Sequence, residues 1–239
     1  MNDADKIRFH KSRENTRVMA NGNVERRIHV SAHTPLPVES TEADRRILAM
    51  AGKYAAMSTA RVYALVKAAQ YVVKAALPGP AVVCGVGLGG SALALARAFR
   101  NAGECDRPIW LYDTFDSETR PELDDYKASQ AYIAEVLAKR CPQYDQSAFR
   151  FIPGMVENTI PGTIPDRIAL MHLDTDWYAS TLHELVHLWP LLITGGVVLI
   201  DDYGCWESCR RAVDEYLEEH DINILLSAVD YTGRIGVKV

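Results

Sequence analysis

The sequence predicts an α/β fold: a doubly wound, mostly parallel sheet, preceded by helices and finished by an antiparallel hairpin at its C-terminal edge. Three observations predict it. Two short apolar runs, Ile168–Leu173 and Val197–Ile200, end in carboxylates, Asp174 with Asp176 and Asp201 with Asp202. Between them Ser180–Leu192 is long enough for the crossover helix that parallel neighbours require. Ala81–Cys84 runs into the turn Gly85-Val-Gly-Leu-Gly-Gly90 and then the helical pattern Ala92–Asn101, a strand–turn–helix unit. Finally, Ile222–Val229 and Arg234–Val239 read as strands separated only by Asp230–Gly233, a hairpin length that cannot carry a parallel crossover.

Composition bounds the organisation. With 239 residues, 48% hydrophobic and 24% charged, the chain suits one large domain, residues 41–239, behind an N-terminal arm, residues 1–40. A formal net charge of −5 offers no basic footprint for nucleic acid, and no apolar run approaches a membrane span. Met1–Asn21 has no signal-peptide core and the five cysteines form no CxxC pair, so reduced thiols and a cytoplasmic location are expected. Cys205 and Cys209, four apart on an expected helix, read as structural, lacking the partners of a zinc site.

Taken in order, Met1–Glu39 lacks periodicity and carries scattered basic residues from Lys6 to Arg27. It reads as a tail, or as an arm folded over a site or onto a partner subunit; the second reading raises a homodimer. Thr34–Val38, with two prolines, is extended linker. Helical patterning begins at Thr41, capped through Asp44, and Thr59–Ala76 carries Val62, Leu65, Val66, Ala69, Val72 and Val73 at three–four spacing before Leu77-Pro-Gly-Pro80 stops it. After the glycine turn, Pro108–Tyr112 is the second strand, Thr114–Asp125 an acidic turn, Tyr126–Lys139 a helix, Ser147–Ile152 the third strand and Trp206–Glu219 the last helix.

Ligands of open α/β sheets bind at the carboxyl edge, where both carboxylate-tipped strands finish. Three or four acids there repel one another unless a cation holds them, and oxygen-only donors favour a hard ion such as Mg2+. Gly85, Gly87 and Gly90 match GxGxxG, and Asp113, ending the second strand, suits the ribose hydroxyls found in both nicotinamide and adenosyl cofactors. A carboxylate at the metal is the expected base for a hydroxyl proton, Asp174 first and Asp176 second. Asp176 has an equal reading as N-cap of the following helix.

Together these stretches resemble the macrocin O-methyltransferase-like (TylF-type) family, which binds S-adenosylmethionine and Mg2+. Met57-Ser-Thr-Ala-Arg61 is similar to the family's opening helix, and Cys84-Gly-Val with Gly89-Gly-Ser91 to its first cofactor loop. Tyr112-Asp-Thr-Phe115 resembles the second loop; Leu173-Asp-Thr-Asp-Trp-Tyr178 with Ser180-Thr181 resembles the metal strand, and Gly195-Gly196 through Asp201-Asp-Tyr203 completes the pattern. The resemblance implies a Rossmann-like methyltransferase sheet and methyl transfer to a hydroxyl of a sugar or other small natural product. It implies Asp174, Asp201 and Asp202 as metal ligands. It also implies cofactor contacts at Gly85, Val86, Gly87 and Ser91, at Asp113 on the ribose and Thr114 beside it, at Met155 and Val156 near the adenine, and at Asp174.

Other readings compete. An NAD-dependent oxidoreductase explains the glycines and Asp113 but leaves the aspartates after both later strands without a role. The family pattern has an acid where Val83 stands, and Trp with a basic residue where Gly87 and Leu88 stand. These departures motivate a non-catalytic S-adenosylmethionine-binding protein. His183-Glu-Leu-Val-His187 matches HExxH, but lies on the crossover helix without a third ligand, so a helix face is expected instead. His172, inside a buried strand, reads as a hydrogen-bonded core residue.

Overall fold

Side chains alternate across a strand, and in β3 (Ala81–Cys84) this alternation separates two cores. Ala81 and Val83 face one apolar cluster, Val82 and Cys84 the other. The computed structural model describes residues 36–116 and 128–239, together with the backbone of a ribbon, β1 (Thr16–Val18) and β2 (Val24–Arg26). The first cluster is covered by α1 (Glu42–Ala51), α2 (Thr59–Lys74), α3 (Gly90–Asn101) and α4 (Gln130–Arg140). The second is covered by α5 (Val156–Thr159), α6 (Tyr178–Leu188) and α7 (Glu207–Glu219). A sheet buried on both faces needs continuous apolar strands, and β6 (Ile168–Leu173) is buried at every position.

The sheet completes with β4 (Ile109–Asp113), β5 (Phe149–Pro153), β7 (Leu192–Ile200), β8 (Ser227–Ala228) and β9 (Arg234–Val237), in the order β5-β4-β3-β6-β7-β9-β8. Strands from β5 through β7 are parallel, and β9 pairs antiparallel with both β7 and β8. Strand order reverses between β3 and β6. That crevice is where such sheets take ligands.

Several boundaries differ from expectation for visible reasons. β7 starts at Leu192, not Val197, because the Gly195-Gly196 segment still pairs: Gly195 N–H donates to the Lys238 carbonyl, and Lys238 N–H to that of Gly196. α6 starts at Tyr178 and ends at Leu188, where Pro190 diverts the chain into a short 3₁₀ turn. α4 begins at Gln130, capped by the Ser129 hydroxyl; its expected start at Tyr126 falls outside the described residues. β8 keeps only two residues, since β9 offers it partners only at Ile235 and Arg234. Cys205 precedes α7 rather than lying on it, its amide bonded to the Asp202 carbonyl. The arm, read as lacking regular structure, contributes the β1–β2 ribbon; expectations for the rest of residues 1–35 lie outside those described. Among the described residues no helix is long and apolar enough to cross a membrane.

Candidate active site at the carboxyl edge

The two halves of the site meet at the reversal of strand order. Asp174 N–H donates to the Cys84 carbonyl at 2.8 Å, and Gly85 N–H donates to that of Tyr112 at 2.9 Å, so strand pairing runs on into the turn. Gly85 has φ +86°, and a Cβ there would stand 2.0 Å from the Asp174 carbonyl oxygen; no other residue fits. Asp113 binds the turn from the next strand: its Oδ2 accepts from Val86 N–H at 2.7 Å and Gly87 N–H at 3.1 Å. Its Oδ1 accepts from Phe115 N–H at 3.1 Å, with the Thr114 hydroxyl 3.4 Å away. Gly85, Val86, Gly87, Asp113 and Thr114 are thus one assembly, and Ser91 lies buried in the first turn of α3. Met155 is 48% exposed past the end of β5, whereas the Val156 side chain is buried in the second apolar cluster.

A segment that sequence reasoning missed closes this crevice. Gly90 N–H donates to the Tyr54 carbonyl at 3.0 Å, and a Cβ on Gly90 would meet Ala55 at 2.6 Å. Tyr54–Met57 therefore lies directly on the glycine turn, enclosing a cavity of about 60 Å³ lined also by Ser91 and Asp174. The larger concavity, about 730 Å³ between Pro80, Arg107, Trp110 and Arg167, is at the opposite edge of the sheet, away from every carboxylate discussed here.

Beyond the turn, acids crowd together. Asp201 and Asp202 are buried at the end of β7, and two overlapping groups have ligand atoms within 4.8 Å: Asp174, Asp176 and Asp202, and His172, Asp174 and Asp201. Asp174, Asp201 and Asp202 do not form one such group among the described residues. Asp202 Oδ2 is buried and has no hydrogen-bond partner. Burial pushes the Asp174 carboxyl well up, and repulsion from Asp201 and Asp176 adds to it. Asp202 rises well above the ordinary range for the same reason, through burial and then Asp176 and Asp174.

Asp201 behaves oppositely, because a cation is built in. Arg61 pairs its Nη1 with Asp201 Oδ2 and its Nε with Asp230 Oδ2, the latter at 3.0 Å. Burial would raise the Asp201 and Asp230 carboxyls, but the Arg61 guanidinium, together with His172 beside Asp201 and the Ser58, Gly233 and Thr232 donors on Asp230, holds both below the usual value. The family resemblance includes Arg61 in the opening helix and gives it no role. One signal was available: it sits in the first turn of α2, where the helix dipole disfavours a cation that has no other purpose.

Three further expectations are corrected or located. Asp176 does not cap α6; Trp177 occupies that position, and Asp176 adopts φ +66° while its Oδ1 accepts from the Trp206 indole N–H at 3.1 Å. His172 is buried, but neither ring nitrogen has a hydrogen-bond partner; the Asp201 Oδ1 is 3.6 Å from Nε2. In HExxH, His183 Nε2 lies 2.9 Å from the Ile160 carbonyl and its ring stands 4.5 Å from that of His187, while Glu184 is buried.

Comparison with known proteins adds independent findings. The Macrocin-O-methyltransferase (TylF) family matches residues 4–235. The chain is 32% identical over 181 residues to the 8-demethyl-8-(2,3-dimethoxy-alpha-L-rhamnosyl)-tetracenomycin-C 4'-O-methyltransferase of Streptomyces olivaceus, covering 69% of each protein. It is 31% identical over 186 residues to the mycinamicin III 3''-O-methyltransferase of Micromonospora griseorubida, covering 69% of this chain and 72% of that one. The structure of the O-methyltransferase NovP shares the fold with a TM-score of 0.73 at 23% identity, covering 82% of this chain and 98% of that one.

Proposed function

The chain belongs to the macrocin-O-methyltransferase (TylF) family, and from that premise we propose that it carries a methyl group from S-adenosylmethionine to a hydroxyl of a sugar or other small natural product, assisted by Mg2+. One observation carries the reading: the glycine turn locked to Asp113, the half-buried acids after β6 and the buried acids after β7 meet at a single crevice. The name of one relative's substrate, a rhamnosyl-tetracenomycin, supports a glycosylated acceptor.

The chain's own residues divide the work. Gly85, lacking a Cβ, lets the Asp174 backbone close against the turn, the Gly85–Gly87 backbone faces a methyl donor, and Asp113 holds that turn in place. The enclosed cavity beside Ser91 and Met57 takes one end of such a molecule. Holding donor and acceptor at reacting distance removes most of the entropic barrier to an in-line displacement. Asp174, the carboxylate beside the glycine turn, is the group to take the acceptor's proton. Asp174 and Asp202, with a third oxygen from Asp201 or Asp176, would hold the metal; the unpartnered, buried Asp202 Oδ2 fits a hard cation. Bound there, Mg2+ supplies Lewis acidity that lowers the acceptor hydroxyl's pKa.

The test is calorimetric titration with S-adenosylmethionine and with NAD+, each with and without Mg2+, followed by a mass-shift screen of glycosylated acceptors. Binding of S-adenosylmethionine and an acceptor gaining one methyl group are expected, and Asp174→Asn should abolish the second. A folded protein that binds NAD+ alone would sink the reading. Binding without any turnover would favour the non-catalytic alternative that Val83, Gly87 and Leu88 motivate.

A further inference from the structure

Residues 55–57, which close the crevice over the glycine turn, lie outside any helix or strand and hang between two anchors. We propose that Ser58 is a positioning residue for the methyl donor: bonded to Asp230, it holds Met57 and the start of α2 over the cavity beside Gly87 and Ser91. The inference rests on the reading of that turn as the donor site. Asp230 belongs to neither of the acid groups described above.

The first anchor is Tyr54, whose carbonyl accepts from Gly90 N–H at 3.0 Å and whose hydroxyl accepts from Arg140 Nε at 3.2 Å. From there Ala55, Ala56 and Met57 cross the turn, and all three line the cavity with Gly87, Ser91 and Asp174. Among the described residues their amides donate no backbone hydrogen bond, so packing and the two ends fix them. The second anchor is Ser58. Its hydroxyl accepts from Arg61 N–H at 3.2 Å, capping α2, and donates to Asp230 Oδ2 at 2.5 Å. Capping uses only a lone pair of the oxygen, so the bond to Asp230 is one that the helix itself does not require.

Asp230 is a fixed point. Its Oδ1 accepts from Gly233 N–H at 2.7 Å and Thr232 N–H at 2.9 Å, and Arg61 Nε donates to its Oδ2 at 3.0 Å. The turn it closes is locked to the end of β7: Gly204 N–H donates to the Thr232 carbonyl at 2.8 Å, and a Cβ on Gly204 would stand 2.0 Å from the Tyr231 carbonyl oxygen. A Cβ on Gly233 would meet the Arg61 Cδ at 2.7 Å, so turn and helix start are fitted to each other. A hydroxyl donating to a half-buried carboxylate makes a charge-assisted bond, roughly twice as strong as a neutral one. Without it, residues 55–57 would be ordered only when the donor binds, and that ordering lowers affinity.

Calorimetric titration of the full chain with S-adenosylmethionine, with no acceptor present, tests the tether. Ser58→Ala should weaken binding about tenfold, and Ser58→Thr, which keeps the hydroxyl, should stay within about twofold of native. Thr41→Ala removes the same kind of cap from α1 at a residue that does not line the cavity, and it should also stay within about twofold. That variant separates lost helix stability from a lost tether. Native affinity in Ser58→Ala, an equal loss in Thr41→Ala, or no rescue by Ser58→Thr overturns the proposal. If Ser58→Ala fails to fold, Ser58→Gly, which a helix start tolerates better than alanine, must show the same loss of about tenfold. A folded native chain that binds no S-adenosylmethionine overturns the donor-site reading itself, a different result from any of these.

Discussion

Replacing Arg61 by methionine keeps most of the side-chain volume and removes the charge that two buried acids depend on. Asp201 and Asp230 expose only 6% and 15% of their side chains, and Arg61 13%, so water compensates little of the loss. Removing one partner of a buried pair costs about 3–5 kcal/mol. Protonation limits the damage: neutralising one aspartate at pH 7 from an ordinary pKa near 4 costs about 4 kcal/mol, at roughly 1.4 per pH unit. A loss of about 3–5 kcal/mol corresponds to a melting point lower by roughly 10 °C in a chain of this size. The pH dependence has a definite sign. In the native chain the folded values of both carboxyls are depressed, so their stabilisation is complete above the ordinary aspartate pKa and fades as acid protonates them. Without Arg61, burial raises the same carboxyls, and acid relieves them instead. The difference between native and Arg61→Met should therefore be largest at pH 7–8 and narrow toward pH 5. Differential scanning calorimetry across that range measures it. A melting point within about 2 °C of native at pH 7, or a gap unchanged down to pH 5, refutes the reasoning.

Other consequences can be checked in the same way. Gly85→Ala forces a Cβ into the Asp174 carbonyl and should cost on the order of 3 kcal/mol or more, whereas Gly103→Ala, also at positive φ but with nothing within 4 Å, should cost about 1; equal melting-point losses would contradict the clash. Asp113→Ala frees the Val86 and Gly87 amides, so their hydrogen exchange should accelerate and S-adenosylmethionine affinity fall about 10–100-fold, the worth of one or two charge-assisted bonds. Asp44, fully buried, accepts from Thr41 N–H at 3.0 Å, Gln70 Nε2 at 2.7 Å and Lys67 Nζ at 3.2 Å. Burial would raise its carboxyl, but those bonds hold it below 3.8, so its contribution is present above that pH and lost below it. Asp44→Ala should cost about 2–3 kcal/mol at pH 7 and flatten the acid limb of the stability curve; an unchanged acid limb would count against it.

The sheet was legible because its signals are local. β3 and β6 begin and end where their apolar runs do, the glycine turn follows β3 directly, and the short Asp230–Gly233 turn before the last strand excludes a parallel crossover. The site was legible only where one segment carries it. Arg61 reaches Asp230, 169 positions away, and nothing in either neighbourhood announces the other. Asp176 was readable as a cap because a short acid before a helix usually is one; its left-handed backbone, and the Trp206 indole that meets it from just before α7, are tertiary facts. His172 reads as a satisfied core residue in any buried strand, yet the acid opposite stops short of hydrogen-bond distance. Tyr54–Met57 has no periodicity, and its docking depends on the missing Cβ of Gly90, a complementarity that becomes visible only in space.

The strand order has an evolutionary corollary. Because the chain builds β3 to β5 outward on one side and then returns to build β6 to β9 on the other, each half of the crevice is encoded by one uninterrupted stretch. Recombination within residues 160–167 could exchange the acid-bearing half between homologues as a single cassette, leaving the turn-bearing half intact. Arg61 breaks this division: it is encoded with the turn yet, like the neighbouring Ser58, answers to an acid in the cassette, pairing with Asp201 and Asp230. Chimaeras that inherit both acids without a cation at position 61 should be the ones that fail to accumulate.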